Sequence, residues 1–173
     1  VHTRGMKTTT CKALGGPCDF VLRGDNPDAV IKAQDAHLKF MRLGAHSQAP
    51  TDGHVQLMAA ALLQPGDCAV VISNSGHSRD LIQLAKLAHR KGATVIFITA
   101  SGSPLARSLP AHAQIFLAAD HPEDHHLYSP MVSRLLHLTL IDILSTAVAL
   151  RLPTSTRNKL KDMKRQLQSL RHA

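Results

Sequence analysis

Residues 68–88 read CAVVISNSGHSRDLIQLAKLA, and the rest of the chain is best interpreted outward from them. The unbroken apolar run Cys68–Ile72 is typical of a strand that is buried on both faces of a sheet. Polar residues 73–78 follow, and the apolar periodicity from Leu81 to Ala88 then predicts a helix that stops at Lys91-Gly92. A buried strand, a loop and a helix in this order predict a crossover unit of a parallel sheet.

Strand-like and helix-like segments alternate on both sides of this unit. Strands are predicted at residues 19–22, 47–49, 68–72, 94–98 and 113–118. Further helices are predicted at residues 27–44, 53–63, 130–150 and 157–170, with Asp52 and either Thr154 or Ser155 as N-caps. The pattern predicts an α/β fold, specifically a flavodoxin-like, doubly wound, five-stranded parallel sheet flanked by helices. Ligands of such sheets bind beyond the carboxyl ends of the strands.

Length and composition agree with one globular domain. The chain has 173 residues, of which 44 % are apolar. The longest apolar segment, residues 135–150, carries several polar side chains and is shorter than the ~18 residues of a membrane helix, so no membrane association is expected. The three cysteines are odd in number and scattered, which favours a reducing, cytoplasmic setting.

The net charge of +8 raises the question of nucleic-acid binding, but an aromatic content of 3 % argues against base stacking on a sheet. The densest basic segment, residues 157–171, is either a solvated helix face or a contact surface for an acidic partner. On these patterns we divide the chain into an irregular segment at residues 1–17, a domain at residues 18–153 and a C-terminal helix at residues 154–173. The apolar side of that helix is expected to pack on the domain or on a partner subunit.

The loop at residues 73–78 carries groups that suit a phosphate monoester. Ser73, Ser75 and Ser78 supply hydroxyls. Asn74 supplies an amide, and Gly76 lets the backbone approach a ligand closely. The N-terminus of the next helix adds free N–H groups and the positive end of its dipole. The alternative is that the serines only cap the helix. The glycine-rich signatures of nucleoside triphosphate and dinucleotide sites are missing, so no cofactor is expected.

Several segments resemble a known family. Residues 71–81, VISNSGHSRDL, are similar to the phosphosugar-binding loop of SIS (sugar isomerase) domains. More specifically, the chain resembles the effector domains of RpiR-type bacterial transcription regulators, especially those of the HexR kind. The segments that carry this second resemblance are DAHLKFMRLG (35–44), DGHVQLMAA (52–60), GATVIFIT (92–99), SPLA (103–106) and YSPMVSRLLHL (128–138) with Ile141-Asp142.

The resemblance implies a sensor that binds a sugar phosphate and is not an enzyme. It implies that the three loop serines hold the phosphate and that His54 lies near the sugar hydroxyls. Glu123 and Ser133 lie in segments that would lead to the pocket or to a dimer contact. The first ligand to test is 2-keto-3-deoxy-6-phosphogluconate, and the expected assembly is a homodimer or a higher homo-oligomer. DNA would be bound only by a helix-turn-helix domain, which residues 1–17 are too short to form.

The turn after the first predicted strand departs from the family pattern. Related domains have Gly-x-Gly-x-Ser there, whereas this chain has Asp25-Asn26-Pro27-Asp28, with Ala29 at the position of the serine. Two carboxylates at close range would repel a phosphate. We therefore expect a rebuilt turn, a reduced affinity or a different ligand.

A stand-alone phosphosugar isomerase is the second hypothesis. Aldose–ketose isomerisation needs a base, for which Glu123, His54 and His137 are the candidates. We rank it below the sensor because residues 128–137 resemble the regulators and not the isomerases. A metal site is not expected, since Pro122 interrupts the spacing of His121 and His125.

Overall fold

A parallel sheet with helices on both faces organises the molecule. The computed structural model describes residues 7–10, 21–24, 27–50, 52–121 and 132–169. Its elements, in chain order, are β1 (Lys7–Thr10), β2 (Val21–Gly24), α1 (Pro27–Arg42), α2 (Gly53–Ala61), β3 (Cys68–Ile72), α3 (Arg79–Arg90), β4 (Thr94–Thr99), a 3₁₀ turn (Ala111–Ala113), β5 (Ile115–Ala118), α4 (Val132–Arg151) and α5 (Thr154–Ser169). The predicted α/β class with a parallel sheet is thereby confirmed.

The parallel sheet has the strand order β3–β4–β5, which places β4 in the centre. Ile96 lies opposite both Val70 and Ile115, and Ile98 lies opposite Ile72. Residues 95–99 of β4 are all buried, as expected for a central strand with helices above and below it. The neighbouring β5 is more open, because Ile115 and Phe116 are exposed.

Alternate side chains of the strands build two separate apolar layers. On one face, Val71, Val95 and Phe97 pack against Ala85 and Ala88 of α3. On the other face, Ile98 packs with Ile141 of α4, and Ala36 of α1 adjoins them. Successive side chains of a strand point to opposite faces of the sheet. Their alternation therefore determines which helices each side chain packs against. Phe97 and Ile98 are adjacent in sequence and both fully buried, and they lie in different layers, Phe97 in the first and Ile98 in the second.

Three of the helix boundaries follow their predicted signals. Asp52 is the N-cap of α2, and its Oδ1 accepts from the N–H groups of His54 and Val55 at 3.0 and 3.1 Å. The glycines predicted to stop α1 and α3 have the left-handed backbone of a C-terminal stop, with φ of +85° at Gly44 and +81° at Gly92. The last helix begins earlier than predicted, at Thr154, so the N-cap predicted at Thr154 or Ser155 was wrong, since both residues lie in the first turn. The N–H of Arg157 donates to the carbonyl of Pro153 there.

Two expectations about strands were wrong. Residues 47–49 form no strand, because the carbonyl of Ser47 bonds to the His37 ring and that of Pro50 accepts from the Gln56 amide. The strand expected near residues 19–22 is β2, which pairs antiparallel with β1 and not with the parallel sheet. Among the described residues the parallel sheet thus has three strands instead of five. Within residues 1–17, which were expected to be irregular, Lys7–Thr10 forms β1, and its β-branched threonines suit a strand.

Helix α4 is the one described helix that is long and apolar enough, by length and composition alone, to cross a membrane. The sequence argument had excluded this because of the polar side chains. In the structure a stripe of α4 is buried, comprising Ser133, His137, Ile141 and Ser145. An ion pair of Lys39 on α1 with Asp142 further joins the two helices. One face of α4 thus packs inward, whereas its opposite face is exposed.

Candidate functional site

Three loops meet at the carboxyl edge of the parallel sheet. Residues 73–78 follow β3, residues 100–110 follow β4 and residues 119–121 follow β5. The N–H of Ser73 donates to the carbonyl of Ile98 at 3.0 Å, so the first loop begins in register with the central strand. The predicted ligand loop therefore lies where this class of sheet binds its ligands.

The loop serines accept hydrogen bonds from the loop's own backbone. Oγ of Ser73 accepts from the N–H of Gly76 at 3.0 Å, and Oγ of Ser75 accepts from that of His77 at 3.5 Å. A hydroxyl that accepts through its oxygen keeps its proton for donation to another group. The bonds therefore fix where the hydroxyl oxygens lie and leave their protons for an anion.

Ser78 is the N-cap of α3, with Oγ 3.5 Å from the N–H of Leu81. The capping role considered above is thus observed for this residue. It does not compete with anion binding, since the hydroxyl proton is not used in the cap. The first turn of α3 also carries Asp80, which occupies the favourable position for an acidic side chain at a helix start.

Gly76 is buried at the point where the ligand loop touches the loop after β4. Its φ is +63°, and a Cβ at this position would lie 2.5 Å from Cβ of Ser103 and 2.9 Å from Oγ1 of Thr99. The carbonyl of Gly76 accepts from the N–H of Leu105 at 3.1 Å. Both the backbone conformation and the close approach therefore require glycine here.

Beneath Gly76 lies a pair of buried hydroxyls. Oγ1 of Thr99 and Oγ of Ser103 are 3.2 Å apart, and Oγ of Ser103 also accepts from the N–H of Ala106 at 3.1 Å. Thr99 is the last residue of β4. The loop at residues 73–78 thus rests on side chains at and just after the end of the central strand.

Ser101 and Asp120 join the loops that follow β4 and β5. The N–H of Ser101 donates to Oδ1 of Asp120 at 2.8 Å, and its hydroxyl donates to Oδ2 at 2.5 Å. These two bonds, the hydroxyl bond first, hold the pKa of the Asp120 carboxyl below its ordinary value, because they stabilise the charged form. Asp120 is therefore an anion at neutral pH.

His54 lies on α2, which packs along α3. It is exposed in the first turn of α2. A Cβ on the preceding Gly53 would lie 3.8 Å from Oδ2 of Asp80, so the helices α2 and α3 begin side by side. Asp52 already accepts the N–H groups of His54 and Val55 at the start of α2, and a ligand role for the His54 side chain stays a prediction.

The remaining predicted residues are not all brought to the loop. Ser133 and His137 are fully buried on the stripe of α4 that packs inward. A ligand role for Ser133 stays a prediction, and burial makes His137 a poor isomerase base. Glu123 lies outside the described residues, as do Asp25 and Asn26 of the altered turn and His125 of the histidine pair.

The sequence argument missed the supporting residues Thr99, Ser101 and Asp120, which stand beside the candidate loop. A signal for them was present, because each lies within three residues after the end of a strand predicted for the parallel sheet. The carboxyl ends of such strands share one edge, so polar residues that follow them are expected to lie near one another.

Comparison with known proteins gives the family. The family model described as the SIS domain matches residues 31–147. The HTH-type transcriptional regulator HexR of Pseudomonas aeruginosa is 39 % identical over 140 residues, which are 81 % of this chain and 48 % of the regulator. The bifunctional protein glk of Paraburkholderia xenovorans is 44 % identical over 121 residues, which are 70 % of this chain and 18 % of that protein. The chain thus spans about half the length of the regulator that it matches.

Among solved structures, the Vibrio vulnificus NanR protein complexed with ManNAc-6P superposes with a TM-score of 0.69 at 22 % identity. The alignment covers 84 % of this chain and 53 % of that one, and it shows a common fold. The family match covers the three strands of the parallel sheet, helices α2 and α3 and the loop at residues 73–78. The chain belongs to the SIS domain family and is homologous to the HexR regulators.

Proposed function

We propose that this chain is the sugar-phosphate-binding effector domain of a cytoplasmic transcription regulator of the RpiR/HexR type. The observation that carries the proposal is the loop at residues 73–78. Its hydroxyl oxygens are fixed by backbone N–H groups, and it lies at the carboxyl edge of the sheet before the N-terminus of α3. A phosphoryl group with three acceptor oxygens and about two negative charges fits these donors.

The nature of the relatives supports a phosphorylated sugar. HexR, a transcriptional regulator, is 39 % identical to this chain over 140 residues, and NanR, which shares the fold, was solved with ManNAc-6P. We propose 2-keto-3-deoxy-6-phosphogluconate as the first ligand to test. DNA binding would belong to a helix-turn-helix domain outside the match, since the chain corresponds to 48 % of HexR.

Calorimetry on the chain and on Ser75→Ala tests the proposal. Removal of the Ser75 hydroxyl is expected to weaken binding of the sugar phosphate by at least ~1.5 kcal/mol, about tenfold, because a hydrogen bond to a charged group is lost. The control is Ser155→Ala, which removes an exposed hydroxyl on α5. Equal affinities for the two variants would contradict a phosphate site at this loop.

We further propose that the domain forms a homodimer through α4. The outward face of this helix exposes Leu135, Ile143 and Leu150. A shallow groove of about 390 Å³ lies on it, lined by Asp142, Ile143, Thr146, Ala147 and Leu150. The groove includes none of the loop residues, so it is separate from the ligand site. A second copy is the natural occupant, because a twofold axis brings the same apolar face from each subunit together.

Ile143→Glu is expected to convert the dimer to a monomer. Two carboxylates would be removed from water at the centre of the contact, at a cost of several kcal/mol. Light scattering coupled to size exclusion measures the mass. Met58→Glu places the same charge at an exposed apolar position on α2 and should leave the dimer intact. A dimer that survives Ile143→Glu places the contact elsewhere.

Ligand binding would act on DNA by changing how the subunits are arranged. A ligand shifts such an equilibrium only if it binds one arrangement better than the other. A panel of phosphosugars distinguishes this sensor from an isomerase. Thermal stabilisation without turnover supports the sensor, whereas interconversion of aldose and ketose forms at ordinary rates would reject it.

A further inference from the structure

The loop after β4 is anchored on its outer side by a carboxylate. Asp120 follows β5 and uses both oxygens on one residue, accepting from the backbone N–H and the hydroxyl of Ser101 at 2.8 and 2.5 Å. Two parallel bonds fix the orientation of a group more strictly than one does. The neighbouring strands β4 and β5 are thereby joined beyond the end of their ladder.

The inner side of the same loop carries the ligand loop. The N–H of Ser103 donates to the carbonyl of Ala100 at 3.0 Å, which closes a turn over residues 100–103 that contains Ser101. The Ser103 side chain is the surface on which Gly76 rests, and Leu105 donates to the Gly76 carbonyl. A continuous set of contacts thus leads from Asp120 through residues 100–105 to the centre of the loop at residues 73–78.

We propose that Asp120 is a positioning residue: it holds Ser101, fixes the turn at residues 100–105 and so keeps the loop at residues 73–78 in the arrangement that receives a phosphoryl group. This inference rests on the proposed function. Asp120 acts through its neighbours and does not contact the ligand.

Whether removal of Asp120 weakens or strengthens phosphate binding distinguishes a positioning role from a purely electrostatic one. An additional anion near the site repels a phosphate, so an Asp120 that acted only by its charge would weaken binding, and its removal would strengthen binding. Asp120 is exposed, which screens this repulsion. Positioning predicts the opposite result, a loss of affinity on removal.

The test compares Asp120→Ala, Ser101→Ala and the double variant with the unaltered chain. The probes are 2-keto-3-deoxy-6-phosphogluconate and inorganic phosphate, measured by calorimetry. Asp120→Ala removes both bonds and is expected to weaken binding about tenfold, whereas Ser101→Ala keeps the backbone bond and should weaken it about threefold. The double variant should equal Asp120→Ala, because the two changes remove one interaction.

Asp67→Ala is the matched control. Asp67 is also exposed and accepts from a backbone N–H, that of Gln64 at 2.8 Å, but it precedes β3 at the opposite edge of the sheet. Asp67→Ala should lower the melting temperature about as much as Asp120→Ala does. It should leave the affinity for both probes within about twofold of that of the unaltered chain. The conservative variant Asp120→Asn keeps one acceptor for the Ser101 N–H and should recover part of the affinity.

Hydrogen exchange gives a measurement that needs no ligand. The Leu105 amide, bonded to the Gly76 carbonyl, should exchange faster in Asp120→Ala than in the unaltered chain and in Asp67→Ala. Unchanged or tighter binding by Asp120→Ala, or unchanged exchange at Leu105, would overturn the positioning role of Asp120 and leave the proposed function standing. An unaltered chain that binds neither probe overturns the proposed function as well.

Discussion

Gly76→Ala is expected to be among the most damaging single substitutions in the chain. The added methyl group would lie 2.5 Å from Cβ of Ser103, and the residue would retain a φ of +63°. We expect the free energy of unfolding to fall by about 2–5 kcal/mol, from left-handed backbone strain and overpacking together. Binding of the sugar phosphate should be lost, because the loop moves away from Ser103. Chemical denaturation and calorimetry measure the two effects.

Gly66→Ala separates the two causes. Gly66 also has a left-handed backbone, with φ of +99°, but nothing lies within 4 Å of its added Cβ. This variant should lose only about 1–2 kcal/mol and keep its affinity. In the Gly76→Ala background, Ser103→Gly removes the atom that the methyl group meets and should restore part of the stability. A Gly76→Ala variant as stable as Gly66→Ala would show that the close approach does not exist in solution.

Ser75→Asp is expected to abolish binding of the sugar phosphate. It places a carboxylate where the proposal puts the phosphoryl group. Two unit charges 4 Å apart near a protein surface repel by about 4 kcal/mol, close to a thousandfold in affinity. Part of the loss should be recovered at high salt, because the interaction is screened.

The neutral variant Ser75→Asn keeps a polar side chain of the same size as aspartate and isolates the charge. It should bind at least about tenfold more tightly than Ser75→Asp. Ser155→Asp, on the exposed start of α5, adds the same charge elsewhere and should leave the affinity unchanged. If Ser75→Asp binds as well as the unaltered chain, the phosphoryl group does not lie at this loop.

The sequence was informative wherever a single physical requirement dominates. A strand buried on both faces needs an unbroken apolar run, so β3 and β4 were predicted almost to the residue. Asp52 was predicted as a helix cap, and capping by Ser78 was the alternative considered for the loop, because short polar side chains satisfy the first N–H groups. These signals depend on local chemistry alone.

Pairing between distant segments was beyond the same argument. The apolar residues of β2 are compatible with a parallel or an antiparallel neighbour, and only the structure shows that Lys7–Thr10 is that neighbour. Residues 47–49 were predicted as a strand because nothing local reveals that Ser47 bonds to the His37 ring. Which partner a carbonyl finds is a tertiary property.

In the candidate site, too, residues with a local signal were predictable and contacts between distant segments were not. The loop serines were identified by residue type and position after a buried strand. Ser101 and Asp120 lie 19 residues apart and meet only because β4 and β5 are adjacent. Their contact depends on strand order, which the composition of neither loop contains.

Ile98 joins two parts of the molecule that the proposed sensor must connect. Its carbonyl accepts from Ser73 at the start of the ligand loop, and its side chain packs with Ile141 of α4, the helix whose opposite face is exposed. Close-packed interiors transmit small displacements instead of absorbing them. If a bound phosphoryl group displaces Ser73, Ile98 would transmit that displacement to α4 and so to the arrangement of the subunits. Chemical shifts at Ile98 and Ile141 would report that coupling directly.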